Sequence, residues 1–489
     1  MFKFFVISFF CLLYANNPIL SQTRDFVRQD SLLYDSFVQN DWELVIAQGN
    51  QMIDQGFDYY YLHIRMGIAA YNTARYLLAR NHLQKALSFY DKDPVANSYL
   101  FGTYLMLNQK NEAGIVRTNL TESAKLYWEI TNRFKVESIH MDVGLQSFNH
   151  QHPLDFATLS GSKKYYGQSR EYNEQTFWDA GISISLSPGL SAYVGFQQIQ
   201  IRADDIFAYH QYELTRDLAA YADWGVSYYY KIDSSQQVQR FAHQISQQSF
   251  YGNLTLGITR NISLTTALHY INWDQTQTQA AVEQGFASDT AYFFYDGSET
   301  VYFEVPLSKI VFENVRIKSN EWVIYLGSRI QSTVGETTVA ASVAKIDGTK
   351  YLQLDAGQKY YPFGNLNFYG NTSLSYLNGK SRNDWLFSQN IYVRLFKQNW
   401  FEASWSHGNH CGFNSASAYL VYNTPYQPQN RLNAVLHASI SKNLKLRLSY
   451  SRLDGRHKYT STDLPDGSFS EDFLTYKSNL ITGGIQWNF

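Results

Sequence analysis

From about Val136 onward, apolar and polar residues alternate with a period of two, again and again, to the end of the chain. In "NLKLRLSYSRL", Leu444, Leu446, Leu448 and Tyr450 share one face, and Lys445, Arg447, Ser449 and Ser451 the other. "LSAYVGFQQIQIR" puts Leu190, Ala192, Val194 and Phe196 together. "WFEASWSH" sets Phe401, Ala403 and Trp405 against Glu402, Ser404 and Ser406, and "NIYVRLF" sets Ile391, Val393 and Leu395 against Tyr392 and Arg394. Such segments are strands that meet apolar material on one side only.

A soluble antiparallel sandwich alternates in the same way, so other features must decide. Tight turns, such as "SPG" (187–189), "TRN" (259–261) and "SKN" (441–443), contrast with the long polar stretches 149–171, 232–244, 274–290 and 455–472. Short turns at one end and long loops at the other are the pattern of an outer-membrane barrel. Aromatics make up 17% of the chain and crowd the strand ends, where their amphipathic rings suit the two headgroup levels. Charged residues, also 17%, fall below the ~25% usual for soluble domains. No interior run approaches the ~20 apolar residues of a spanning helix. A sheet edge in hydrocarbon would strand its N–H and C=O groups, so the sheet must close. Spread over residues 135–489, roughly 20 residues per strand and connection give about 16 strands, with 14 to 18 as the range. Residues 290–320, interrupted by Pro306, read as an irregular strand, a bulge or an inward loop.

The first residues read differently. Lys3 and the apolar "FFVISFFCLLYA" form a secretory signal, with cleavage expected after Ser21. The mature chain then keeps one cysteine, Cys411, and no intramolecular disulfide can form. Residues 22–134 carry a helical period. Gly67, Ala79 and Ala86, with Gly102 one repeat further on, are the small residues that let paired helices approach, at a spacing close to the ~34 residues of a tetratricopeptide repeat; an ordinary small helical bundle is the alternative. The expected fold is α+β and multidomain: signal peptide 1–21, a short tetratricopeptide-like helical domain 22–134, and a transmembrane antiparallel β-barrel 135–489. Export places the helical domain in the periplasm of a Gram-negative bacterium and the barrel in its outer membrane. Short turns and Phe489 then lie on the periplasmic side.

Motifs that would require a reaction are missing: there is no GxSxG, HExxH, Walker or Rossmann pattern. "HGNHC" gathers His407, His410 and Cys411, which read as a polar turn in preference to a zinc site; "NHQH" (His150, His152) reads as solvated loop. His437, Ser439 and Ser449 are the residues from which a membrane-embedded lipid-modifying enzyme would build a Ser–His pair. The expectation is nonetheless a non-enzyme with no cofactor and no metal. Arg394, Glu402, Lys445 and Arg447 project to the lumen, either as salt bridges filling it or as selectivity charges along a conduit. Tyr228–Tyr230, Tyr292–Tyr295, Tyr360 and Tyr361 invite stacking on sugar rings, although a membrane girdle explains most of them. A net charge of −2 argues against nucleic acid as a partner.

The "GIAAYNTARYLLARNHLQKA" repeat, "SWSHGNHCGFNSASAYLVYN", "LSYSRL" and the final "IQWNF" resemble the YaiO-type outer-membrane barrels with an N-terminal tetratricopeptide region. More distantly, the layout resembles polysaccharide exporters, from which it departs in having far fewer repeats. The resemblance carries no catalytic residues. It implies export or surface assembly, of an exopolysaccharide for instance, with residues 22–134 docking a periplasmic or inner-membrane protein; a nutrient porin is the alternative. Ile485, Trp487 and Phe489 share the lipid face of the last strand and resemble the signal read by the barrel-assembly machinery.

Overall fold

The computed structural model describes residues 17–489 except 131–133, 151–165, 222–224, 294–298, 381, 397, 424–425 and 463–468. Most of the signal segment therefore lies outside the described residues. Seven helices come first: α1 (Asn17–Val38), α2 (Trp42–Asp54), α3 (Tyr60–Asn72), α4 (Tyr76–Phe89), α5 (Pro94–Met106), α6 (Lys110–Arg117) and α7 (Glu122–Tyr127). Local chemistry fixes several starts. The Asp41 carboxylate accepts from the Leu44 N–H at the start of α2. Asp93 does the same for Ala96 at 2.6 Å, and Pro94 follows it at the head of α5. Consecutive helices pack around Val45, Ile68, Leu83, Leu87, Leu100 and Tyr104. Gly67 lies where α3 meets α4: a Cβ there would stand 2.7 Å from Leu83 Cγ. At Gly102 a Cβ would meet the Trp128 ring at 2.6 Å. Ala79 and Ala86, on α4, are fully buried.

The remainder is a closed antiparallel barrel of fourteen strands. In chain order these are β1 (Lys135–His150), β2 (Tyr166–Ser187), β3 (Leu190–Tyr221), β4 (Gly225–Gly257), β5 (Ile262–Phe293), β6 (Glu299–Ser332), β7 (Gly335–Ile346), β8 (Thr349–Tyr360), β9 (Phe368–Gly379), β10 (Asn383–Arg394), β11 (Trp400–His407), β14 (Gln427–Ser439), β15 (Leu444–Thr462) and β16 (Phe469–Asn488). Two short strands, β12 (Asn414–Ser415) and β13 (Leu420–Val421), pair only with each other. The first and last barrel strands close the ring, with Met141 opposite Ile485 and Val143 opposite Gly483.

Side chains alternate across the wall. On β1, Ile139, Met141, Val143 and Leu145 point outward and are exposed, while Asp142 and Gln146, on the opposite face, are buried. Ile324, Leu326 and Ile330 on β6, Leu446 and Leu448 on β15, and Ile481 and Ile485 on β16 continue the outward apolar belt. Left in water, each such side chain would forgo roughly 1.5–3 kcal/mol of transfer free energy; in hydrocarbon the belt is at home. No described helix is long and apolar enough to cross a membrane.

The count of fourteen corrects the expected sixteen, and strand length is the reason. β7 to β10 have 12 residues each, whereas β3 to β6 have 32, 33, 32 and 34. Twelve residues at about 3.3 Å each already suffice for a tilted crossing, so the long strands continue well past the membrane. The stretches 232–244 and 274–290, expected as loops, lie within β4 and β5. Above Ile245 and Gln275, β4 and β5 no longer pair. The β3–β4 and β5–β6 hairpins then pack on each other through Phe207, Phe241 and Phe312, with ring centroids 5.0 Å apart for both pairs involving Phe312. Residues 299–320 are regular β6, not an inward loop. Pro306 pairs opposite Phe286 of β5, at a height where β6 has no ladder to β7, and an edge of this kind tolerates proline.

Candidate functional site

The chain between β11 and β14 turns into the barrel. Gly408 enters it with φ 130°, where a Cβ would run into the Trp385 carbonyl oxygen, and Gly412 follows with φ 80°. At the tip, Ala416, Ser417 and Ala418 all have positive φ (52°, 57° and 68°). Left-handed non-glycine residues cost roughly 1–3 kcal/mol each, and the barrel wall supplies what holds them. The Tyr251 hydroxyl donates to the Ser417 carbonyl (2.9 Å), and His269 Nδ1 donates to the Ala418 carbonyl (2.7 Å).

Further ties run to strand after strand. Asn414 donates to Ser342 Oγ (2.8 Å) and exchanges bonds with Gln353, whose Nε2 donates to the Asn414 carbonyl at 2.8 Å. Tyr419 donates to Asp179 (2.8 Å), and Asn423 to Glu321 (2.8 Å) and Gln247 (3.2 Å). The Tyr426 hydroxyl accepts the Tyr172 N–H at 2.7 Å. The segment thus bonds to β2, β4, β5, β6, β7 and β8 at once and lies across the lumen as a plug.

Beside the plug, against β1–β5, β11 and β14–β16, is a cavity of about 470 Å³. Asp142, Glu402, Arg431, His437 and Arg447 line it, together with rings such as Trp273 and Tyr422. Arg447 Nε donates to Asp142 Oδ1 at 3.0 Å, and a second guanidinium nitrogen joins the same carboxylate. His140 lies between Asp142 (3.9 Å) and Asp179 (3.8 Å). His437 faces Glu402 at 3.7 Å, and Arg431 donates to the Tyr422 hydroxyl at 2.6 Å. The lining thus alternates rings with charge pairs.

Of the residues singled out in the sequence, Glu402, His437, Arg447 and Ser449 line this cavity. Arg394 stands at the end of β10, where Nη1 donates to Asn367 Oδ1 at 3.3 Å. Lys445 is near the start of β15, paired with Gln486. Ile485, Trp487 and Phe489 point outward and are exposed, and the Phe489 N–H donates to the Glu137 carbonyl (3.1 Å). The Tyr360 hydroxyl accepts from Gln389 Nε2 (2.9 Å), and buried Tyr361 donates to Glu336. The side chains of Tyr228–Tyr230 and Tyr292–Tyr295 lie outside the described residues.

"HGNHC" proves to be the base of the plug. His410 is fully buried, with Nδ1 donating to the Pro428 carbonyl (2.9 Å) and Nε2 accepting from Ser406 (2.6 Å). His407 bonds Asn430 instead, so the two imidazoles do not converge. Ser439 Oγ donates to the Gln398 carbonyl (3.2 Å) and forms no pair with His437.

The helical domain meets the barrel at its short-turn end. Tyr104 donates to the Arg260 carbonyl (2.7 Å) and Gln84 to Asn261 (2.6 Å), both in the β4–β5 turn. The Leu77 N–H donates to the Gly364 carbonyl between β8 and β9 (2.7 Å). Buried Arg80 reaches Gln331 (2.5 Å) and the Ser332 carbonyl. Glu112, fully buried on α6, accepts from Arg329 (3.1 Å), which also faces Glu336 (3.4 Å). Gly114 of α6 abuts Gly189 so closely that a Cβ would overlap its backbone nitrogen. Neither this seal nor the plug was found from the sequence. One signal was present: no Asp, Glu, Lys or Arg occurs between Gly408 and Tyr426, unlike a solvated loop.

No family model matches the chain, and no curated protein does. Among solved structures, a FadL homologue from Pseudomonas aeruginosa aligns over 72% of this chain and 90% of its own, at 10% identity and a TM-score of 0.36. The Pseudomonas putida toluene transporter TodX gives 72% and 90%, 7% identity and 0.37. The translocator domain of the autotransporter NalP from Neisseria meningitidis gives 79% and 99%, 10% identity and 0.32. Likenesses of this order assign no activity to the chain.

Proposed function

We propose that the protein is a non-enzymatic outer-membrane channel, closed at rest, that passes a polar polymer of the exopolysaccharide class outward when its plug is displaced. The observation that carries this reading is the plug. A segment without charged side chains, tied by hydrogen bonds to six strands, obstructs the lumen reversibly, because the ties are made by ordinary side chains and not by a covalent bond. The cavity beside it supports the choice of cargo. Tyr and Trp faces interleaved with carboxylate and guanidinium groups suit a polyhydroxylated chain, which offers flat C–H faces and many hydroxyls. In this reading the helical domain sits in the periplasm and docks a periplasmic or inner-membrane partner. Uptake of a small polar nutrient uses the same lumen in the opposite direction.

The test is conductance in a planar bilayer. The intact protein is expected to be silent, and a variant with residues 410–423 replaced by a short Gly/Ser linker to give stable steps. Silence of the inserted, folded variant would overturn the channel reading. If it conducts, current block by neutral oligosaccharides separates a saccharide path from a non-selective one.

A further inference from the structure

We infer that the outer end of the barrel holds a divalent transition-metal site built from His150, Glu171 and His457. These three come from the end of β1, from β2 and from β15, and one ligand atom of each lies within 4.8 Å of the other two. Glu171 and His457 are 3% and 2% exposed. Among the described residues, His150 Nδ1, Glu171 Oε1 and both ring nitrogens of His457 have no hydrogen-bond partner. Four orphaned polar atoms at one buried point are unfavourable unless something bonds them.

The arrangement around the three favours a metal. His150 Nε2 lies 2.8 Å from the Tyr172 carbonyl, which can only accept, so this nitrogen carries the proton. The lone pair is thereby placed on Nδ1, the atom without a partner. A carbonyl on the far nitrogen is the usual second contact of a metal-bound histidine, since it sets tautomer and ring orientation together. His457 is held by its faces: Tyr426 stacks on it (centroids 5.1 Å apart, 25° between planes), and the His150 ring meets it edge-on. Arg240 approaches Glu171 through the other oxygen, Oε2, at 4.0 Å and leaves Oε1 free. Two imidazole nitrogens and one carboxylate oxygen suit zinc or its first-row neighbours, and leave a fourth position open. Tetrahedral zinc needs donors roughly 3.4 Å apart, inside the 4.8 Å that encloses the three ligand atoms here.

The position suggests what the ion does. Directly above the site β15 pairs with β2, from Tyr459 opposite Ser169 to Thr462 opposite Tyr166. The barrel is pinched there beside the seam between its first and last strands, and a metal at this point staples β15, late in the chain, to the consecutive strands β1 and β2.

The experiment uses the full chain in detergent micelles, stripped with EDTA and titrated calorimetrically with zinc chloride, with cobalt(II) absorption as a geometry probe. One zinc per chain is expected, with a tetrahedral cobalt spectrum. Glu171→Gln and His457→Ala should each lower affinity at least tenfold and abolish that spectrum, whereas His407→Ala, outside the site, should leave both unchanged. Heat-modifiable mobility and circular dichroism show whether each variant is folded. A folded wild-type protein that takes up no zinc overturns the site, as does unchanged affinity in folded Glu171→Gln and His457→Ala. If both variants fail to fold, Glu171→Asp decides: it keeps the carboxylate and should retain zinc with an altered cobalt spectrum, and an unaltered spectrum refutes the assignment.

Discussion

At the scale of single residues, several of the charges in the lumen are held by one another. Asp142 is 2% exposed and takes its partner from Arg447, which arrives from the other end of the chain. Removing the guanidinium leaves a buried carboxylate with a distant imidazole. Arg447→Ala should lower stability by about 1.5–3 kcal/mol, the range for a hydrogen bond to a charged group. Urea unfolding in lipid vesicles measures this, and Asp142→Leu combined with Arg447→Met should recover most of the loss. In the helical domain, the titratable pair is His63 and His82, with Nδ1 atoms 2.9 Å apart. His63 Nε2 donates to Asp58 (2.8 Å), so His82 Nδ1 carries the proton between the rings. Burial, and then the neighbouring His63, hold His82 down to about 4 from an ordinary 6.5. For His63, burial outweighs the upward pull of Asp58. The unfolded chain therefore binds protons first as pH falls. The contribution of His82 is present above pH 6.5 and lost between 6.5 and about 4. Hydrogen exchange of α3 and α4, corrected for intrinsic rates, should show protection falling in that window, with a flatter profile in His82→Gln.

Among the elements, the plug is the one whose removal is most informative. Its ties are individually modest, about 0.5–1.5 kcal/mol each, and two of them hold the left-handed tip. Tyr251→Phe with Asn423→Ala deletes three of the plug's bonds, and the Asn253–Tyr251 bond within the wall, without altering the belt. Brief openings are expected in planar bilayers, together with faster proteolysis within 408–423. Unchanged silence and protection would mean that packing of Phe413 and Ala418, both fully buried, holds the plug alone. The elements that were legible in the sequence are those whose two faces see different solvents. "NLKLRLSYSRL" announces a strand because one face meets lipid. The stretch 232–244 does not, because beyond the membrane a strand needs no apolar face: its ladder satisfies the backbone and both sides tolerate polar residues. Reading such stretches as loops inflated the strand count. The plug escaped for the converse reason. Its polar groups find partners in six different strands, and no local pattern encodes a set of contacts scattered over the chain.

For the whole molecule, the question is which of two obstructions controls the lumen. The helical domain covers the turns from 188 to 367 through Tyr104, Arg80, Glu112 and Gly114, and Lys110 reaches Glu137 on β1 at 2.7 Å; none of the bonds described reaches the turns at 395–399 or 440–443. The ties described for the plug run to barrel strands, and none of them reaches a helix. The two are therefore mechanically independent within this conformation. Glu112→Arg would set two guanidinium groups against each other in a buried place, and Gly114→Val would drive a side chain into the Gly189 backbone. The combined variant should release the helices from the rim, seen as protease cleavage between residues 128 and 135 while the barrel keeps its heat-modifiable mobility. Conductance should stay at zero, because the plug remains. Adding the 410–423 replacement should then give larger steps than that replacement alone, since the helices no longer shadow half of the mouth. Conductance from helix release alone would move the gate from the plug to the rim. In that case a periplasmic partner that grips residues 22–134 would open the channel by lifting the domain, and the plug would serve to stiffen the wall.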